Sequence, residues 1–109
     1  MAYQHARLES GGWRNLSLME QLANIGSEVG RTAKWHSKNP AHSEMAFARA
    51  LELFDLTLRD QRWMGRLKEI ARARELFVDA YLGGKEYHSS LEDMEKYFYP
   101  FAFAARRHR

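Results

Sequence analysis

Four amphipathic segments account for most of this chain, each bracketed by helix caps and separated from the next by a short break. That arrangement leaves little choice of fold. A segment that is apolar on one face at helical spacing must bury that face. Four such segments joined by short connections pack side by side in alternating directions. The expectation is an all-α, antiparallel up-and-down four-helix bundle over residues 17–109, preceded by an N-terminal arm, residues 1–16. A length of 109 residues suits one domain and is too short for two.

The first segment opens on Ser17-Leu18-Met19-Glu20, which has the form of a capping box. Leu18, Leu22, Ile25, Val29 and Ala33 then share one face. Beside them runs a strip of small residues, Ala23, Gly26, Ser27 and Gly30. A glycine inside a helix costs about 1 kcal/mol relative to alanine. Two of them imply a close neighbour: a helix of the same bundle, or a ligand or partner helix. Asn39-Pro40 ends this segment. The second helix starts either at Asn39, with Pro40 in its first position, or at Ser43. Phe47, Ala50, Leu51, Phe54 and Leu58 form its stripe, and it ends near Arg59. Asp60–Gly65 is a connection in which Asp60 caps a helical turn or Gly65 precedes the next helix. Leu67, Ile70, Ala71, Phe77, Val78 and Tyr81 mark the third helix, and Gly83-Gly84 stops it. Ser89 or Ser90 caps the fourth, where Leu91, Met94, Tyr97, Phe98, Phe101 and Ala105 follow. Pro100 falls inside this pattern and predicts a kink or a restart. In the arm, Gly11-Gly12 breaks regular structure, Trp13 and Leu16 can dock on the body, and Ala2–Glu9 can form a short helical turn.

Several chemistries are absent. Without cysteine there is no disulfide, thiolate nucleophile or cysteine zinc site. His5, His36, His42, His88 and His108 are scattered, and no Glu-x-x-His pair accompanies them. No nucleophile elbow or glycine-rich phosphate loop occurs. The expectation is no catalytic residue, no metal and no cofactor. No apolar run nears the roughly 18–20 residues that cross a bilayer, and the first residues lack the apolar core of a signal peptide. A soluble, cytoplasmic protein is expected. The net charge of +3 permits contact with a polyanion without demanding it.

Three charges lie on or beside apolar stripes: Arg74, Asp55 and Glu28. They can snorkel to water, form a buried ionic cluster, or leave Arg74 as the fork of a pocket for a carboxylate or phosphate. Arg59, Arg62, Arg66, Lys68, Arg72 and Arg74 alternate with Glu52, Asp60, Glu69, Glu75 and Asp79, the pattern of a solvated face. Only the tail Arg106-Arg107-His108-Arg109 is one-signed; Arg7, Arg14 and Lys34 would extend it if folded alongside. The fourth helix has more aromatic surface than one face can hide. Tyr97, Tyr99 and Phe103, with Trp63, are candidates for an interface with a second copy, as a two-fold dimer. Docking of the arm on that same surface is the competing account.

The stretches Leu18–Val29 and Ala46–Thr57, with Gly65-Arg66-Leu67-Lys68-Glu69, Lys96-Tyr97-Phe98 and Phe103-Ala104-Ala105-Arg106, resemble a family of short bacterial and archaeal proteins of uncharacterised function. That resemblance implies a compact four-helix protein and no activity. A looser similarity is to HEPN-type bundles, which pair with nucleotidyltransferases or cleave RNA. Their nuclease form carries an arginine and a histidine with four to six residues between them, near the C-terminal helix. Arg31 and His36 match that spacing, here in the first helix. Two functions are therefore expected: a non-enzymatic interaction module that self-associates or meets a protein partner, or an RNA-acting or nucleotidyltransferase-associated bundle.

Overall fold

The structure, a computed structural model, describes residues 12–107. Four helices make up the bundle: α1, Leu18–Trp35; α2, Pro40–Leu58; α3, Leu67–Tyr81; and α4, Leu91–Arg107. They run antiparallel in sequence order, as expected. The turn expected for Ala2–Glu9 lies outside the described residues, as do Arg7, His108 and Arg109 of the basic cluster.

Local chemistry sets the boundaries. The capping box is complete: Glu20 N–H donates to Ser17 Oγ at 3.1 Å, and Ser17 N–H donates to Glu20 Oε1 at 2.9 Å. Asn39 rather than Ser43 caps α2, accepting from His42 N–H, with Pro40 in the first position. Ser43 is buried instead, its hydroxyl donating to the Thr32 carbonyl on α1 at 2.8 Å. Asp60 caps a tight six-residue turn, Gln61–Arg66, that leads into α3. Ser90 caps α4 through Asp93 N–H. Pro100 does not restart the helix, which continues to Arg107. Pro100 and Lys96 are both exposed, and the proline leaves the Lys96 carbonyl without its helical donor.

Spacing between helices follows side-chain size. The small-residue strip lets α1 lie close against α4, where a β-carbon built on Gly26 would stand 2.8 Å from Phe98 Cβ. α3 stands further off, and rings bridge the distance. Phe54 meets Phe77 and Phe98 with centroids 6.1 and 6.0 Å apart, and Phe47 stacks on Tyr81 at 3.9 Å. Phe54, Phe77, Ile25 and Val29 are wholly buried.

The arm enters the core through Trp13. Trp13–Asn15 form a short turn, and Trp13 is 2% exposed. Its indole N–H donates to Thr57 Oγ1 at the end of α2, and its carbonyl accepts from Gln21 Nε2. Trp13 thus seats beside α1 and α2, not on the aromatic surface of α4. Gln21 continues the network: Nε2 also donates to Asp60 Oδ2, and Oε1 accepts from Trp63 Nε1 at 2.9 Å. Arg62 clasps Asp60 through Nε and Nη2 and donates to the Leu16 carbonyl. A buried amide with both ends satisfied fixes its neighbours in one arrangement.

The Arg62 guanidinium beside it, with the Arg62 and Gln21 N–H groups, holds the Asp60 carboxyl down from 3.8 to about 2. A depressed carboxylate stabilises the fold above its unfolded value, and that contribution fades as pH falls through the folded one. The difference converts to about 2.5 kcal/mol. Arg62 is 43% exposed, and solvent screening reduces the figure to about 1 kcal/mol. Between pH 4 and 2, Asp60→Asn should therefore lose less stability than the parent chain, as read by urea midpoints. Equal losses would show that the pair contributes nothing.

Candidate functional site

The candidate charges separate. Arg74 on α3 and Asp55 on α2 meet in a two-pronged pair, Nε to Oδ1 at 2.9 Å and Nη2 to Oδ2 at 3.4 Å. Their side chains are 32% and 47% exposed, so the pair ties two helices for about 0.5–1 kcal/mol. Arg74 does border an open depression of about 430 Å³ with Val78, Leu82 and Lys85, with its guanidinium already taken by Asp55. Glu28 does not join them. It is buried on α1, where Oε1 takes Arg31 from the next turn and Oε2 has no partner among the described residues. The one-turn reach of Arg31 explains the departure: a local ion pair competes with any cross-bundle one.

Arg31 and His36 are likewise apart in their surroundings. His36, the capping residue just past α1, is five positions on from Arg31, about 140° around the axis. Arg31 is held by Glu28, and the His36 ring lies edge-on to Tyr81 at 5.6 Å.

The four interface candidates fall in three places. Trp63 is half-buried, bonded to Gln21 and covered by the Arg62 guanidinium 4.4 Å above its ring. Tyr97 turns toward α3, against Phe98 and Phe101, with its hydroxyl 3.4 Å from Glu69 Oε1. Burial and the adjacent Glu69 carboxylate push its phenol above the usual value. Tyr97 there walls a groove of about 520 Å³ between α3 and α4. Ala73, Leu76 and Met94 form the groove's base, and Tyr87, Arg72 and Asp93 its rim. Tyr99 and Phe103 alone point outward, 56% and 64% exposed. Next to them a shallow trough between α1 and α4 is lined by Ala23, Gly26, Ser27, Gly30 and Ala102.

The charge pattern puts Asp79 on a solvated face, but the structure buries it. Its carboxylate accepts N–H groups from Glu86, Tyr87 and Ser89 and the Ser89 hydroxyl at 2.7 Å. The Ser89 hydroxyl, helped by those backbone donors, holds it below the usual carboxylate range. Asp79 follows Phe77 by two residues, so it lies nearly opposite that core ring on α3. The returning loop covers it, not the bundle, which is why helical periodicity gave no sign of it. Gly83 and Gly84 take positive φ in that loop, 114° and 74°, as His88 does at 58°; a β-carbon on Gly84 would lie 2.6 Å from the Ser89 carbonyl oxygen. The loop thereby fixes Tyr87 at the groove's mouth, where Arg72 stacks on it at 4.5 Å.

No family model, curated protein or solved structure matches this chain. Among the described residues no helix is long and apolar enough to cross a membrane, and no group of three His, Asp or Glu side chains is placed to hold a metal ion.

Proposed function

We propose that the protein is a non-enzymatic interaction module that self-associates through the outward face of α4. The observation that carries this reading is the exposure of Tyr99 and Phe103, one turn apart on the same side of one helix. Neither ring contributes to the bundle's core, so the fold alone gives no reason for them. Covering a large ring is worth about 1.5–3 kcal/mol when complete. Two rings from each of two copies supply several kcal/mol toward a dimer, against the cost of lost rigid-body freedom.

Light scattering at about 10–100 µM protein should report a mass near twice 12.8 kDa. Replacing both rings, Tyr99→Ser with Phe103→Ser, should return the mass to 12.8 kDa with helical circular dichroism unchanged. A monomeric parent chain throughout that range would overturn the reading.

A further inference from the structure

On the exposed side of α4, Glu92, Lys96, Tyr99, Phe103 and Arg106 follow one another at steps of four, three, four and three. That is the spacing of the seam positions in a coiled coil. All five are exposed, while Met94 and Phe98 on the other side enter the core. Seams are normally apolar along their length; this one is apolar at its centre and charged at its ends.

The order of those charges decides what fits. Laid against itself in parallel, the seam sets Glu92 on Glu92, Lys96 on Lys96 and Arg106 on Arg106, three repulsive layers. Turned end for end about Tyr99, it sets Glu92 opposite Arg106, Lys96 opposite Phe103 and Tyr99 opposite Tyr99. Each layer is then attractive: ion pair, cation over ring, ring against ring. By symmetry the first two occur twice. The groups are available for it. The side chains of Glu92 and Lys96 make no hydrogen bond or ion pair among the described residues. The Arg106 guanidinium lies 5.1 Å over the Phe103 ring, not on a carboxylate. The small side chains of the neighbouring trough, Ala23, Ser27 and Ala102, leave room for a second helix to approach.

We infer that α4 pairs antiparallel with α4 of a second copy of this chain, about a two-fold axis at Tyr99. This rests on the self-association proposed above and adds the register. Two measurements test it on the full chain. In the first, Glu92→Arg and Arg106→Glu, made singly, each place like charges together at two symmetric positions. Each should weaken the dimer about tenfold or more, by sedimentation equilibrium. The two together restore opposite charges and should recover the parent's affinity. In the second, the absence of cysteine permits clean cross-linking. Tyr99→Cys should oxidise to a covalent dimer. Phe103→Cys should not, because its two copies sit about 12 Å apart along the axis, beyond the roughly 7 Å that a disulfide spans.

A dimeric parent whose charge reversals have no effect, or whose double variant fails to recover, overturns the antiparallel seam and leaves self-association standing. Equal cross-linking at Tyr99→Cys and Phe103→Cys does the same. A monomeric parent overturns both, as does a monomer that takes up single-stranded RNA at low salt through this face.

Discussion

Trp13→Ala should cost about 3–5 kcal/mol, a large share of what a domain of this size has to lose. The residue stands before the first long helix, yet its ring is among the largest wholly enclosed side chains. Two effects add. Removing the indole opens a cavity between the ends of α1 and α2, and the surrounding helices are tied by hydrogen bonds that resist collapse into it. The loss also takes a donor from Thr57 Oγ1, itself fully buried. Trp13→Phe separates the two, since it keeps most of the volume and removes the N–H. Its cost should be about 1–2 kcal/mol. Urea denaturation followed by far-ultraviolet circular dichroism reads both. A loss below about 1 kcal/mol for Trp13→Ala would show that residues 12–16 rest on the bundle without being part of it.

Trp13 also marks the limit of what local sequence pattern can reveal. The bundle was legible because periodicity and caps report on each helix locally: Leu22, Ile25 and Val29 repeat at the right interval, and Ser17 with Glu20 announces the start. Trp13 has no periodic neighbours, so its docking was foreseeable and its location was not. The network of Gln21, Asp60 and Trp63 was illegible for a related reason. Its members lie 39 and 42 residues from Gln21, and nothing local distinguishes a buried glutamine from a solvated one. Glu28 lies beside the stripe and is buried there, yet its spacing could not reveal that a partner one turn away on the same helix takes it in place of partners across the bundle. The aromatic surplus of α4 was visible as a count, and only the helix's orientation separates Tyr97, facing α3, from Tyr99 and Phe103, facing out. The seam with Glu92, Lys96 and Arg106 needed that orientation first, because charges at seam spacing mean little until one knows the face is uncovered.

The two glycines of α1 should respond to the same substitution in opposite directions. In a helix interior, alanine is preferred to glycine by about 1 kcal/mol, so space alone decides the sign. At Gly30 the nearest atom to a new β-carbon is Glu95 Oε2, at 3.5 Å, an ordinary contact with the mobile end of a side chain. Gly30→Ala should therefore stabilise the fold by up to about 1 kcal/mol. At Gly26 the β-carbon would meet Phe98 Cβ at 2.8 Å and Cγ at 3.3 Å. Those atoms sit at the root of the side chain, and rotation about χ1 cannot move the β-carbon away. The Phe98 ring is itself wedged against Phe54 and Phe101. Relief requires α1 and α4 to part, which loosens the tightest helix pair in the bundle. Overpacking of this kind costs about 1–3 kcal/mol, enough to outweigh the gain in helix propensity. Gly26→Val adds two methyl groups at the same point and should cost more again. Thermal midpoints of the three variants give the test. If Gly26→Ala matches Gly30→Ala as a stabilising change, α1 and α4 do not approach at Gly26, and the closeness of that pair is not what the glycine is for.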